Sequence, residues 1–185
     1  LKKYMTSIKQ NCYRLLRLVN NIIDMNKIDY GYYDIELGNY NIVSVVEDIT
    51  MSVLEYIKNK GIELIFDTDT EEEIIACDPD KIERIILNLL SNAIKYTRPD
   101  GKIIVNINSD KENVYISVKD TGIGMPKQKL NKIFNRYEQI DNKLTKSFNG
   151  SGIGLSLVKS LVEMHKGKIT VESKENEGSK FTITL

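Results

Sequence analysis

The stretch "IERIILNLLSNAIKYT", residues 82–97, places Asn88 and Asn92 one helical turn apart in a segment that is otherwise strongly apolar. At about 100° per residue, the apolar side chains form one stripe, made of Ile82, Ile85, Ile86, Leu89, Leu90 and Ala93. A second stripe lies far round the helix and consists of Arg84, Asn88, Asn92 and Lys95, with Tyr96 at its edge. An ordinary solvated face would more often carry Glu, Lys and Gln, because asparagine is a poor helix former. The polar stripe is therefore either plain surface or a binding face.

The stretch "VYISVKDTGIGMP", residues 114–126, ends an alternating strand with a carboxylate. Asp120 lies on the same strand face as Val114, which should be buried, and a carboxylate there needs hydrogen-bond donors. Gly122 and Gly124 follow and allow the backbone to approach a ligand closely. A buried acceptor beside such a loop suits the exocyclic amine of a purine, although a strand ending in a polar hairpin has the same pattern.

The stretch "NGSGIGLSLVKSL", residues 149–161, leads into a helix through Gly150, Gly152 and Gly154. A helix N-terminus offers unpaired N–H groups to a phosphate. The spacing matches neither the P-loop nor the dinucleotide-binding fingerprint. Taken alone, the stretch fits a phosphate-binding turn or a flexible linker equally well.

Around these stretches, helices alternate with strands. We predict a helix over 42–61, strands over 62–68 and 73–78, and a helix that starts at Asp78-Pro79, with Asp78 as N-cap. Two hairpins follow, one formed by 102–108 and 114–120 and the other by 168–173 and 179–185, with a helix ending at Gly167 between them. This order predicts an α/β two-layer sandwich, in which a mixed, mostly antiparallel sheet carries helices on one face.

Residues 1–30 are predicted to form one long helix with a heptad pattern, at Leu1, Met5, Ile8, Cys12, Leu15, Val19 and Ile22. Additional apolar residues widen this stripe, which favours a helix-bundle face over a two-stranded coiled coil. A helix packed on the following domain is the alternative. The turn-rich, aromatic segment 29–41 marks a domain boundary.

Composition excludes several classes of protein. Lys plus Arg and Asp plus Glu both number 26, so the chain lacks the basic excess expected of a nucleic-acid-binding domain. No apolar run approaches membrane-spanning length, so we expect no direct membrane contact. Cys12 and Cys77 have no metal-ligand spacing and fit packing roles in a reducing, cytoplasmic compartment. The opening residues look like a cut into a longer protein, which could itself be membrane-anchored.

The order of the motifs resembles the kinase core of bacterial two-component sensor histidine kinases. "NLLSNAIKYT" is similar to their N box, "DTGIGMP" to their first glycine box and "IFNRYEQID" to their F box. "GSGIGLSLVKSLVEMHKGKITVES" resembles their second glycine box with its trailing helix and strand, and "GSKFTITL" their closing strand. The resemblance covers essentially the whole chain and favours a binding role for each of the three stretches. It implies the ATP-binding sandwich shared with type II topoisomerases, heat-shock chaperones and mismatch-repair ATPases.

The resemblance implies ATP and Mg²⁺ as cofactors and assigns roles to the residues at the matching positions. Asn88 matches the ligand of Mg²⁺, and its amide oxygen is a hard ligand of the type that Mg²⁺ accepts. Asn92 faces the phosphates or their water shell, while Lys95 and Tyr96 reach the phosphate and line the adenine and sugar. Asp120 accepts the adenine amino hydrogen.

The glycines of both boxes complete the implied site. Gly122 and Gly124 allow the close approach of adenine, and residues 135–149 match a mobile lid over the triphosphate. Gly150, Gly152 and Gly154 let this lid hinge. Arg136 is the candidate for neutralising charge on the transferred phosphoryl group.

The chain departs from the family pattern at a few positions. Tyr137 stands where a second F-box phenylalanine is common, and Lys166 stands where a glycine often follows the histidine. The family carries its acceptor histidine on the first helix of a hairpin, and residues 1–35 resemble only the second helix. The single histidine, His165, is interpreted as a helix C-terminal cap or packing residue. We therefore expect a truncated core that does not phosphorylate itself, with residues 36–185 as the catalytic ATP-binding domain.

Three functions are compatible with such a core. The first is a protein-histidine kinase that acts as a homodimer in its full-length form and passes phosphate to an aspartate of a response regulator. The second is an ATP-hydrolysing clamp of the topoisomerase or chaperone type. Those relatives place a water-orienting glutamate one turn before the metal-binding asparagine, where this chain has Arg84. The third is a non-catalytic scaffold that docks a regulator, which the intact glycine and asparagine motifs disfavour.

Overall fold

A computed structural model describes residues 15–16, 19–138 and 152–185 of the chain. The helices are α1 (19–29, with 15–16 also helical), α2 (Ile42–Ser52), α3 (Leu54–Lys58), α4 (Pro79–Tyr96), α5 (Lys127–Leu130) and α6 (Gly154–Met164). The strands are β1 (Gly38–Asn41), β2 (Glu63–Thr68), β3 (Ile74–Cys77), β4 (Lys102–Ser109), β5 (Val114–Asp120), β6 (Lys168–Lys174) and β7 (Gly178–Thr184). No helix in these ranges is long and apolar enough to cross a membrane.

The main sheet has five strands in the order β2-β4-β5-β7-β6. The β2–β4 pair is parallel, and the three other pairs are antiparallel. Alternating residues of β4 and β5 are buried in one core with the apolar faces of α2, α4 and α6. Helix α4 contacts both α2 and α6. The predicted two-layer sandwich, with its mixed and mostly antiparallel sheet, is confirmed.

Local sequence signals placed α4 correctly. Asp78 is its N-cap, since the side chain accepts hydrogen bonds from the backbone N–H groups of Asp80 and Lys81, and Pro79 occupies the first turn. The predicted apolar stripe is buried from Ile82 to Ala93. Cys77 is fully buried, as its packing role required, whereas Cys12 lies outside the described residues.

The single helix predicted over 42–61 is wrong, because the chain breaks at Val53 into α2 and α3. The hydroxyls of Thr50 and Ser52 donate to the carbonyls of Val46 and Ile49, and such bonds compete with the helical ladder. The chain then turns at Gly61, whose φ of 71° is positive.

The structure corrects the assignment of the segment around 38–41 and confirms the strand predicted over 73–78 as β3. Strand β1 lies inside the segment that was interpreted as a boundary turn, and it pairs antiparallel with β3. These strands form a separate two-stranded ribbon, so β3 is not part of the main sheet. The short helix α5 was not predicted either.

The described part of α1 presents different side chains to solvent and to the rest of the chain. Exposed apolar residues on α1 are Leu15, Leu16, Val19, Ile22 and Ile23. Asn21, Asp24 and Met25 are buried. The heptad stripe is therefore not the face of α1 that packs on the rest of the described chain. Heptad positions before residue 15 lie outside the described residues.

Candidate functional site

Asp120 ends β5 on the buried face of the main sheet, as its alternation predicts, and its residue surface is 5% exposed. Its Oδ1 accepts a hydrogen bond of 2.8 Å from the Gly122 N–H, and the Ser179 N–H also donates to the carboxylate. Burial raises the pKa of this carboxyl to about 6, although both hydrogen bonds act in the opposite direction. The group is thus a buried acceptor whose ionised form is maintained against a desolvation penalty.

The loop after β5 is packed backbone to backbone. A Cβ at Gly122 would lie 2.5 Å from the Tyr96 carbonyl oxygen, and one at Gly124 would lie 1.9 Å from the Lys174 carbonyl oxygen. Gly124 also has a φ of 62°. Both glycines are therefore required by contacts within the protein, and their predicted part in admitting adenine remains a prediction.

The β6–β7 hairpin supports this loop from the other side. The Met125 N–H donates to Ser173 Oγ at 2.8 Å, and the Asn176 N–H donates to the Ile123 carbonyl at 2.7 Å. Ser173 Oγ in turn donates to the Gly178 carbonyl. Sequence reasoning missed Ser173, because no local pattern indicates that its hydroxyl reaches a loop 48 residues away.

The asparagine stripe of α4 runs from the middle of the helix to its end. Asn88 is buried, with its Nδ2 donating to the Arg84 carbonyl at 2.8 Å, and Asn92 is half-buried one turn later. Lys95 Nζ donates to the Tyr96 hydroxyl at 2.9 Å and lies 4.6 Å from the centre of that ring. The Tyr96 carbonyl accepts from the Ile123 N–H at 3.2 Å, which joins the end of α4 to the loop after β5.

The start of α6 lies against the middle of α4. A Cβ at Gly154 would lie 3.2 Å from Asn88 Oδ1, so the asparagine amide and the N-terminus of α6 come together. Gly152 has a φ of 70° and packs on Tyr137, whose N–H donates to the Gly152 carbonyl at 3.0 Å. Gly150 and residues 139–149 of the expected lid lie outside the described residues.

Arg136 contacts α1 in this structure. Its Nη1 and Nη2 donate to the two carboxylate oxygens of Asp29. This ion pair lowers the pKa of Asp29 through the hydrogen bond and the attraction of the guanidinium. The predicted role of Arg136 at the phosphoryl group remains a prediction.

Arg84 makes a second contact to the same N-terminal region. It forms an ion pair with Asp24 on α1, and its Nη1 donates to the Tyr33 hydroxyl at 2.9 Å. Sequence analysis did not identify Asp24, Asp29 or Tyr33, because their partners are distant in the chain.

His165 occupies the C-cap position of α6 and is buried, as predicted. Its Nε2 accepts the Asp78 N–H at 3.1 Å, and its Nδ1 lies 2.8 Å from the Leu161 carbonyl oxygen. The ring is therefore neutral with the proton on Nδ1, because each nitrogen has a partner of fixed type. Within the described ranges, no three His, Cys, Asp or Glu side chains form a cluster that could hold a metal ion.

Residues 77–185 match the model of the family described as histidine kinase-, DNA gyrase B-, and HSP90-like ATPase. Histidine kinase P4 of Formosa agariphila is 35% identical over 99% of the chain, and the sensor histidine kinase WalK of Bacillus subtilis is 33% identical over 93%. The chain spans 14% and 28% of the lengths of these relatives.

Solved structures have the same fold. Full-length ShkA, crystallised with AMPPNP, superposes over 100% of the chain and 38% of its own length, with a TM-score of 0.85 at 24% identity. Histidine kinase ThkA, crystallised with the response regulator TrrA, superposes over 100% of the chain and 50% of its own length, with a TM-score of 0.78 at 26% identity. The family model covers more than half of the chain, so the chain belongs to the histidine kinase-, DNA gyrase B-, and HSP90-like ATPases, as an ATP-binding core of the histidine kinase type.

Proposed function

We propose that this chain binds Mg²⁺-ATP along the polar stripe of α4 and presents the γ-phosphoryl group to a histidine imidazole other than His165. The observation that carries this proposal is the pair of polar clusters at the two ends of that stripe. Gly122 lies against the carbonyl of Tyr96 and donates its N–H to Asp120 at one end, and Gly154 lies against Asn88 at the other. Eight residues of helix separate Asn88 from Tyr96, or about 12 Å at 1.5 Å per residue, so one extended nucleotide can span them.

Adenine would bind at the Asp120 end. An ionised carboxylate only accepts hydrogen bonds, so it pairs with the amino group of adenine and opposes the carbonyl that guanine has at the same position. Two backbone N–H groups fix the orientation of this carboxylate before any ligand arrives. Such preorganisation supports selection of the base by Asp120.

The phosphates would lie at the Asn88 end, near the first turn of α6. Asn88 would hold Mg²⁺ through its amide oxygen, Asn92 would face the phosphates or their waters, and Lys95 would add positive charge. When bound, the ion supplies neutralisation of phosphate charge, which dominates phosphoryl transfer together with positioning. A Cβ at Gly154 would crowd this end, which supports a close approach of the ligand there.

The surroundings of Arg84 favour transfer to a histidine over hydrolysis by water. A hydrolysing clamp needs a carboxylate one turn before Asn88, and this chain has Arg84 there, bound to Asp24 and Tyr33. Glu83 is exposed on another side of α4. An arginine at this position of α4 therefore supports transfer to a histidine over hydrolysis.

Dimerisation and docking of a response regulator are the partner interactions we propose for the whole protein. The exposed apolar side chains of α1 support packing in a helical bundle, because single exposed residues are common but a stripe of them is not. ThkA was crystallised with a response regulator, which supports the same class of partner for this protein. Residues 1–35 would form part of the bundle and residues 36–185 the catalytic domain.

Calorimetric titration with ADP and GDP, with and without Mg²⁺, tests the base assignment. We expect ADP to bind, and GDP to bind far more weakly. Asp120→Asn should weaken the binding of ADP by about 1–3 kcal/mol, the range for a buried unsatisfied hydrogen bond. Equal affinities for the two nucleotides would contradict the assignment of Asp120 to the base.

Labelling with γ-labelled ATP tests the acceptor assignment. The 185-residue chain should gain no acid-labile phosphate, since its single histidine is buried and lies about 17 Å along α6 from Gly154. In-line transfer requires reacting atoms about 3–3.5 Å apart. A form that carries an acceptor histidine on a preceding helix should be labelled. Label that disappears in His165→Ala would contradict this assignment.

A further inference from the structure

We propose that Asp29 determines how strongly the chain distinguishes ATP from ADP, by competing with the terminal phosphate of ATP for Arg136. This inference rests on the nucleotide site proposed above. It adds a residue of α1, outside that site, to the groups that set nucleotide preference.

The first support is the form of the contact. Arg136 donates from both terminal nitrogens to both oxygens of Asp29, and this planar fork matches a carboxylate or a phosphate equally well. The guanidinium cannot direct the same two N–H groups at two anions, so a phosphate that takes this terminal fork must displace Asp29. The side chains are 43% and 36% exposed, so the pair is open to exchange with an anion from solvent.

The second support is the position of Arg136 in the chain. The next residue, Tyr137, donates its N–H to the carbonyl of Gly152, and Gly154 then lies against Asn88. The backbone at Arg136 is therefore beside the end of the site assigned to phosphates. The proposal therefore requires rotation of the Arg136 side chain about its own bonds, and no movement of α4 or the sheet.

The third support is that α1 has its own anchor. Asp24 pairs with Arg84, Met25 is buried in the core, and Tyr33 accepts a hydrogen bond from Arg84. These contacts hold α1 next to α4 independently of Asp29. Loss of the Asp29 charge should therefore free Arg136 while α1 stays docked. Asp29→Asn thus tests the contact to Arg136 by itself.

The experiment compares the affinities of a non-hydrolysable ATP analogue and of ADP, both with Mg²⁺, for the parent chain, Asp29→Asn and Asp34→Asn. Asp34 is an exposed aspartate of the same region, so its variant makes the same change in net charge. We expect Asp29→Asn to bind the ATP analogue roughly two- to fivefold more tightly, the range for release of an exposed ion pair. The affinity for ADP should change less, since ADP lacks the terminal phosphate. Asp34→Asn should have the same affinities as the parent chain.

Arg136→Ala provides the second half of the test. In the Asp29→Asn background it should cancel the gain for the ATP analogue, because the freed guanidinium is the source of that gain. Circular dichroism melting curves of each variant check that the fold is retained.

Each outcome decides the matter. An unchanged ratio of ATP to ADP affinities in Asp29→Asn, an equal gain in Asp34→Asn, or a gain that survives Arg136→Ala would overturn the competition. In each of these cases the parent still binds nucleotide, so the proposed function stands. A parent chain that binds no nucleotide would overturn the proposed function and this inference with it.

Discussion

The loop after β5 and the turn before α6 both bring glycines against α4, but the contacts around them differ. The loop after β5 is fixed by backbone groups, with Ile123 bonded to Tyr96 and Asn176, and Gly124 pressed on the carbonyl of Lys174. Near the turn before α6, the charged contacts are made by side chains, with Arg136 on Asp29 and Arg84 on Asp24.

The difference teaches how one site can be rigid at one end and adaptable at the other. Backbone contacts cannot exchange partners without displacing a strand or hairpin, so the end proposed to bind adenine is formed before a ligand arrives. Long charged side chains exchange partners by rotation, so the end proposed to bind phosphates should respond to the ligand and to α1.

Gly124→Ala should have the largest effect on stability, because it disrupts the backbone packing of the loop after β5. A Cβ there would lie 1.9 Å from the Lys174 carbonyl, and the φ of 62° is unfavourable for alanine. We expect a loss of more than about 3 kcal/mol of unfolding free energy in urea titrations, since the β6–β7 hairpin must move.

Gly31→Ala is the matched control. Gly31 has a similar φ of 71°, but no atom lies within 4 Å of an added Cβ. This variant should lose only about 1 kcal/mol of unfolding free energy, the cost of placing alanine in the left-handed backbone region. Similar losses in both variants would mean that close packing does not hold the loop after β5.

Asp120→Asn should have opposite effects on stability and on ADP binding. Burial raises the pKa of Asp120 to about 6, well above the value for an unfolded chain. The folded chain therefore binds the extra proton between roughly pH 4 and pH 6, and its stability falls as the pH rises through that window. A shift of about two units corresponds to about 3 kcal/mol at neutral pH.

Urea titrations from about pH 4 to pH 8 check this expectation. Asn cannot ionise, so the variant should gain stability relative to the parent as the pH rises, while its ADP binding is weakened at every pH. ADP affinity of the parent should fall below about pH 6, because a protonated carboxyl donates where adenine needs an acceptor. A stability difference that stays constant with pH would show that Asp120 is ionised without penalty.

Asn88→Ala tests the proposed phosphate end. If Asn88 touches the ion, loss of its amide oxygen should weaken the binding of Mg²⁺-ADP by about 1–2 kcal/mol and the binding of metal-free ADP by less. Asn92→Ala is the comparator, because a residue that faces phosphates should affect both forms similarly. Titrations with Mg²⁺ and with a chelator separate the two responses. A larger loss without metal than with it would remove Asn88 from the metal site.

Much of the structure around Asp120 was predictable from sequence, because its signals are local. Alternation placed β5 and the burial of Asp120, and the Asp78-Pro79 pair placed the start of α4. Strand β1 was missed because it has four residues and pairs with a strand more than 30 residues away. The ion pair of Arg136 spans 107 residues, and no spacing rule could reveal it. Backbone contacts follow from the fold, whereas side-chain partners between distant segments depend on packing that the sequence does not display.

The smallest expected effect on stability comes from backbone strain at Lys166, away from both ends of the proposed site. Lys166 follows the C-cap of α6 with a φ of 60°, and its N–H donates to Glu163 while that of Gly167 donates to Val162. This is a Schellman motif with lysine at the position that glycine usually fills. Relief of the left-handed backbone is worth about 1–2 kcal/mol, and the added freedom of glycine in the unfolded chain offsets about 0.4–1 kcal/mol.

Lys166→Gly should therefore raise the free energy of unfolding by roughly 0.5–1 kcal/mol and leave ADP affinity unchanged. Asn176→Gly is the comparator, since Asn176 is also exposed with a φ of 63° but lies in the hairpin that supports the adenine loop. Asparagine tolerates this backbone better than lysine does, so Asn176→Gly should gain less stability. Its change falls on the rigid end of the site, so ADP affinity should drop if the loop loosens. An altered ADP affinity in Lys166→Gly would mean that the end of α6 is coupled to the nucleotide, and that the rigid and adaptable ends are not separate.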